Sequence, residues 1–169
     1  MKIHDNAISD SVGTAIEETD LNLITQGDNY YNRQGASNVV KKLRVRLQHI
    51  PNASATYSQL RVMVVIWTDE SANVPTVADI FEAPANQWLS PPLFASRQFK
   101  ILYDKLYPPV IPGQDVNVID FTLTKGLPTA KYTSGANTGV DHMFLLLIAN
   151  DNTNKCDVIG HATVYFQDP

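Results

Sequence analysis

Apolar residues in this 169-residue chain recur at every second position or in unbroken runs of strand length, and nowhere keep a sustained helical period. Glycine and proline fall in clusters between those stretches, where each interrupts regular structure. A helical layer needs a 3.6-residue apolar stripe to bury itself, so the pattern confines the chain to an all-β fold.

Eight strand-like segments can be marked. The first covers residues 2–9 and the second 14–24, with Val12-Gly13 as the turn between them. A polar loop, 25–38, leads to the third segment, 39–50, in which Leu43, Val45 and Leu47 face one way and Lys42, Arg44, Arg46 and Gln48 the other. The fourth, 59–68, is apolar on both faces and belongs in the middle of a sheet. A connection then runs over 69–95 and carries Pro75, Pro84, Pro91 and Pro92, which rule out one continuous element. Within it Thr76 as N-cap and Asp79 three residues on predict a single helical turn over 76–81. The fifth segment is 97–107 and the sixth 115–124, where Asn117, Ile119, Phe121 and Leu123 share a face. After a loop at 125–140 come the fully apolar seventh segment, His142–Ala149, a polar turn, and the eighth at 157–167.

Eight strands joined by two long, unequal connections point to an eight-stranded antiparallel jelly-roll sandwich, with two four-stranded sheets in Greek-key order. Residues 1–169 form a single domain, long enough to bury roughly 70% of its unfolded surface without a disulfide. Cys156 is the one cysteine, so no intrachain bridge can form. No apolar run approaches the ~18–20 residues of a membrane-spanning helix, and no membrane partner is expected. The N-terminus lacks a basic-plus-apolar leader, so secretion by that route is not expected.

Chemistry is sparse. His4, His49, His142 and His161 each stand alone, with no second ligand at metal-binding spacing, and structural or surface roles are expected for all of them. There is no G-x-S-x-G, P-loop, H-E-x-x-H or EF-hand loop, and Cys156 sits in no nucleophile motif. No catalytic set, metal site or cofactor is therefore assigned. Asp151, Asn154 and Asp157 offer oxygen ligands near one turn, but side chains satisfying their own backbone explain them more simply. Asn52-Ala53-Ser54 fits the glycosylation acceptor pattern and reads as a turn.

Charge is unevenly distributed. The net charge is −4, and residues 1–32 hold Lys2 against Asp5, Asp10, Glu17, Glu18, Asp20 and Asp28. Arg33, Lys41, Lys42, Arg44, Arg46 and Arg61 then supply six of the thirteen basic residues. On the third segment Lys42, Arg44 and Arg46 recur with period two, so all three project from one side of a sheet, where such a row can neutralise phosphates. A solvated strand face is the competing reading. Aromatic residues are not interleaved with the row, so stacking on single-stranded bases is not indicated.

Ordered motifs add a resemblance. Leu23-Ile24-Thr25-Gln26-Gly27-Asp28, then Arg33-Gln34-Gly35, then Lys41-Lys42-Leu43-Arg44-Val45-Arg46 resemble the "I-x-Q-G … R-x-G … K-x-L-x-I-R" opening of the capsid proteins of small circular single-stranded DNA viruses, the circovirus-like group. The run Arg61 to Asp69 is similar to their next strand. Thr76-Val77-Ala78-Asp79-Ile80-Phe81, Phe99-Lys100-Ile101-Leu102-Tyr103-Asp104 and the closing Val164-Tyr165-Phe166-Gln167-Asp168 follow in the same order.

The resemblance implies a single jelly roll that self-assembles into a closed icosahedral shell of about 60 copies (T = 1) around a single-stranded genome, a structural protein and not an enzyme. It places the protein in the virion, and in the host-cell nucleus or cytoplasm during assembly. By carry-over, Lys42, Arg44 and Arg46 approach the interior and meet the genome. The long connections at 69–95 and 125–140 take interface and outer-surface roles, with Trp88 and Phe94 at subunit contacts. The chain departs from the family at its start, which lacks the usual arginine-rich arm. At −4 per chain, a shell of about 60 copies carries about −240, so only a segregated basic interior could retain a genome. Two binding alternatives stay open: a satellite RNA virus coat on the same fold, and a carbohydrate- or receptor-binding jelly roll using Trp67 or Trp88, of which Trp67 reads as core. A cupin-type enzyme would need clustered histidines that the sequence lacks.

Overall fold

In the computed structural model the chain is described over residues 1–68, 74–82, 88–93, 98–114, 117–133 and 139–169. The elements are β1 (Lys2–Val12), β2 (Glu17–Asp20), β3 (Ser37–Ile50), β4 (Leu60–Trp67), α1 (Val77–Ile80), β5 (Phe99–Leu106), β6 (Asn117–Leu123), β7 (Thr129–Tyr132), β8 (Gly139–Val140), β9 (His142–Ala149) and β10 (Cys156–Gln167). The fold is all-β. Two antiparallel sheets hold these strands: the first in the order β1-β10-β3, the second in the order β2-β9-β4-β5. The outer edge of β3 is shared, with β6 pairing along Leu43 to His49 and β7 along Ser37 to Val39.

Apolar side chains from facing strands fill the space between the sheets. Leu43, Val45 and Leu47 of β3 and Val158, Ala162 and Val164 of β10 meet Val62 and Val64 of β4 and Leu145 and Leu147 of β9. The other face of the second sheet is covered as well: Met63, Val65, Phe144 and Leu146 pack against Ile80 and Phe81 of the long connection. Central strands buried on both sides cannot alternate apolar with solvated positions, which is why β4 is apolar from Val62 to Trp67 and β9 from Met143 to Ala149. The expected helical turn forms, and the Asp79 carboxylate accepts hydrogen bonds from both the N–H and the hydroxyl of Thr76, at 2.9 and 2.6 Å.

The second segment contracts from 14–24 to four paired residues. Asp20 Oδ1 accepts the Asn22 N–H at 2.8 Å, a local turn that competes with continuing the ladder. Conversely, the loop expected at 125–140 holds β7 and β8, because β3 extends beyond β6 and offers an unpaired edge. A β-bulge makes that extension workable. Val40 pairs with Phe166 and Lys42 with Tyr165, so Lys41 has no partner and the inward parity shifts from Asn38 and Val40 to Leu43, Val45 and Leu47. On β10, Gly160 lies so close to β3 that a Cβ there would overlap the Arg46 carbonyl oxygen.

Candidate functional site

Pairing register brings the basic row into a defined surface. Arg44 of β3 lies opposite Thr163 of β10 and Thr122 of β6, and Arg46 lies opposite His161 and Asp120. Lys42 lies opposite Tyr165 and holds its ammonium 4.8 Å from that ring's centroid, a cation–π contact. The three side chains thus share the outward face of the first sheet, as their spacing predicts.

That face carries its own counter-charges. Asp120 Oδ2 lies 3.0 Å from Arg46 Nε and 3.4 Å from Arg44 Nη2. The three side chains keep 62, 41 and 38% exposure for Arg46, Arg44 and Asp120, so water screens the contacts and each is worth at most about 1 kcal/mol. One row along, Asp5 of β1 accepts from the Thr163 hydroxyl at 2.8 Å and lies 2.8 Å from His161 Nδ1. Asp157 also has outward parity on β10. The surface thus holds two guanidiniums and one ammonium together with carboxylates, of which Asp120 contacts both arginines. An anion binding there must displace or outcompete Asp120.

Two other members of the basic group are not on this surface at all. Arg61 is buried on β4. Its Nε and Nη2 donate to Asp104 Oδ1 and Oδ2, both at 2.7 Å, and its Nη1 donates to the Ser90 carbonyl at 2.7 Å. It pins the long connection to the second sheet and closes one side of a surface cleft of about 340 Å³, also lined by Trp88, Leu89 and Leu106. Arg33 is 1% exposed, with its guanidinium carbon 3.9 Å from the Tyr132 ring centroid and its Nε donating to the Ile24 carbonyl at 3.1 Å.

Trp67 is core, packed with Met63 and Phe99. Trp88 is half-buried against the same cluster and borders the cleft. Phe94 lies outside the described residues.

Each histidine has a local place. His142 Nδ1 lies 2.8 Å from Asp20 Oδ2, and His49 Nε2 lies 2.8 Å from the Ser58 hydroxyl. Burial lowers the pKa of His4 and brings that of His49 down to about 4. Cys156, beside Ser58, is sealed between the sheets, and burial pushes its thiol up, away from thiolate chemistry. Asp151 turns inward on its own loop, accepting from the backbone N–H groups of Thr153 and Asn154 at 2.8 and 3.1 Å. These bonds hold its carboxyl below the usual range. Among the described residues, no group of three or more His, Cys, Asp or Glu side chains is arranged to hold a metal ion. No helix among them is long and apolar enough to cross a membrane.

Asp120 and Asp5 were not legible as parts of the site. Each sits on a different strand from the basic row, and the register that brings them together is a tertiary property. Compared with protein-family models and with curated proteins, the sequence matches none.

Proposed function

We propose that this chain is a viral capsid subunit, a structural protein that self-assembles into a small icosahedral shell around a single-stranded genome. The observation that carries the reading is the strand order. With β7 and β8 set aside as an elaboration of one connection, β1-β10-β3-β6 facing β2-β9-β4-β5 is the order expected of an eight-stranded jelly roll. The chain crosses from sheet to sheet at nearly every connection, which leaves its loops gathered at the two ends of the sandwich, free to meet further copies. The motifs that resemble circovirus-like capsids fall on structural positions. Arg33 of the R-x-G motif is a buried anchor, and the K-x-L-x-V-R strand is β3 at the centre of the first sheet.

In this reading Lys42, Arg44 and Arg46 face the genome. The Asp120 carboxylate between the two arginines makes that contact weak and salt-sensitive. Negative-stain microscopy of the purified full chain tests assembly directly, and the ultraviolet absorbance ratio of the same sample reports co-purifying nucleic acid. Closed particles of uniform small diameter are expected. A strict monomer at high concentration would end the proposal.

A further inference from the structure

The loop between β2 and β3 is braced at its base and exposed at its tip. Residues 21–36 link β2 to β3, and Arg33 plugs their base into the interior, against Tyr132. Above that plug the loop closes on itself. Gly27 N–H donates to the Arg33 carbonyl and Arg33 N–H to the Thr25 carbonyl, both at 3.0 Å, and Asn32 N–H donates to the Asn29 carbonyl at 3.0 Å. Both ends of the chain clamp it from outside: Lys2 Nζ donates to the Asn32 carbonyl at 2.8 Å, and the Gln34 N–H donates to Asp168 Oδ1 at 3.1 Å. Lys2 and Asp168 are themselves an ion pair at 2.7 Å.

What this bracing presents is Tyr30 and Tyr31, 52 and 63% exposed. Their rings stand nearly perpendicular, 86° apart with centroids separated by 5.4 Å. Single exposed aromatics are common on protein surfaces, but two adjacent ones on a pre-ordered loop form a contact surface whose ordering cost has already been met by folding. Rigid tyrosines flanked by small amides and glycine are the composition that recognition loops use. Gln26, Asp28 and Asn29 supply exposed polar groups on the same turn.

We propose that the Tyr30–Tyr31 corner is a binding site for a neutral oligosaccharide, stacking the C–H face of a sugar ring on a tyrosine while its hydroxyls meet the flanking Asn and Asp side chains. Charge favours this class over nucleic acid, because Asp28 is the only charged residue between Gln26 and Asn32. The inference is independent of assembly and applies to whatever oligomer the chain forms.

An array of immobilised neutral and sialylated oligosaccharides, probed with the full chain, tests it. Tyr30→Ala and Tyr31→Ala, alone and together, serve as site variants, and Tyr57→Ala, another exposed tyrosine, is the control. Neutral oligosaccharides should be retained by the unaltered chain and by the Tyr57 variant. Each site variant should lose about tenfold in affinity, the scale of an aromatic anchor, with an unchanged melting temperature. Retention of no oligosaccharide, of sialylated ones alone, or equal retention by the double variant would overturn the proposal. So would loss of self-association in the double variant, by sedimentation, without any saccharide signal; a second copy would then be the occupant.

Discussion

Arg61 and Asp104 form a two-pronged ion pair across adjacent strands, with both N···O distances at 2.7 Å, and the arginine side is buried under the long connection. The geometry is the planar fork-to-carboxylate match that only arginine offers. Removing one partner strands the other charge in a desolvated place. Asp104→Ala should therefore lower unfolding free energy by about 3 kcal/mol, and Arg61→Ala by a similar amount. The double variant should lose clearly less than the sum of the two, because each single change already forfeits the shared contact. Urea denaturation of the four proteins measures this. Simple additivity would show that the pair contributes little.

His49 makes stability depend on pH. It is fully buried, its Nε2 meets Ser58, and its Nδ1 finds no hydrogen-bond partner among the described residues. Burial brings its pKa from an ordinary 6.5 down to about 4 in the folded chain. Above 6.5 both folded and unfolded chains hold a neutral imidazole, so the full stability is present. As pH falls from 6.5 towards 4, the unfolded chain takes up a proton that the folded chain refuses, and stability is lost at up to about 1.4 kcal/mol per pH unit. Chemical denaturation at pH 7.5 and 5 should show this loss in the native sequence. A His49→Gln variant, which keeps a hydrogen-bonding group near Ser58 but cannot titrate, should show a smaller loss. An identical pH slope in both proteins would assign the acid lability elsewhere.

Much of the architecture was legible because alternation and unbroken apolar runs report directly on how many faces of a strand are covered. The inward set Leu43, Val45 and Leu47 follows from parity alone, and the double burial of β4 and β9 from the unbroken apolar runs Val62–Trp67 and Met143–Ala149. Parity failed where tertiary pairing intervened. The bulge at Lys41 resets the inward face within one strand, and β7 exists because β3 outruns β6, neither of which has a local signature. The basic row was legible as a row, but its neutralisation was not. Asp120 reaches Arg44 and Arg46 only through the β3–β6 register, and Arg33 and Arg61, basic in composition, are interior anchors.

Gly160 should tolerate no side chain. It lies in the middle of β10, with φ of 154° and the β3 backbone against the space a Cβ would take. Gly160→Val would push β10 away from β3, and those strands form the centre of the first sheet. The expected cost is about 3 kcal/mol or more, combining an unfavourable backbone conformation with lost ladder bonds. Thermal melts of the soluble fraction test it, with Gly35, which needs no positive φ and whose Cβ would come no nearer than 3.9 Å to atoms beyond its chain neighbours, as the comparison site: Gly35→Ala should cost far less. Equal losses at both sites would show that the close approach to Arg46 is readily relieved.

If the outward face takes a nucleic-acid phosphate, Asp120 should set its affinity. It is the carboxylate within reach of both Arg44 and Arg46, and neither contact is buried. Asp120→Asn keeps the side-chain shape and removes the charge, freeing both guanidiniums for phosphate without disturbing the Ile119 and Phe121 contacts on the other side of the strand. Binding of a single-stranded oligonucleotide at low salt should tighten about two- to fivefold, the scale of an exposed ion pair. Arg44→Gln and Arg46→Gln should weaken it, and each should flatten the dependence of affinity on salt by about one phosphate contact. The Asp120 variant should keep the native salt slope, since it adds no new cation. Filter binding across a salt series separates the outcomes. If all three variants bind as the native chain does, the nucleic-acid contact lies on another surface and the β3 row is a solvated strand face.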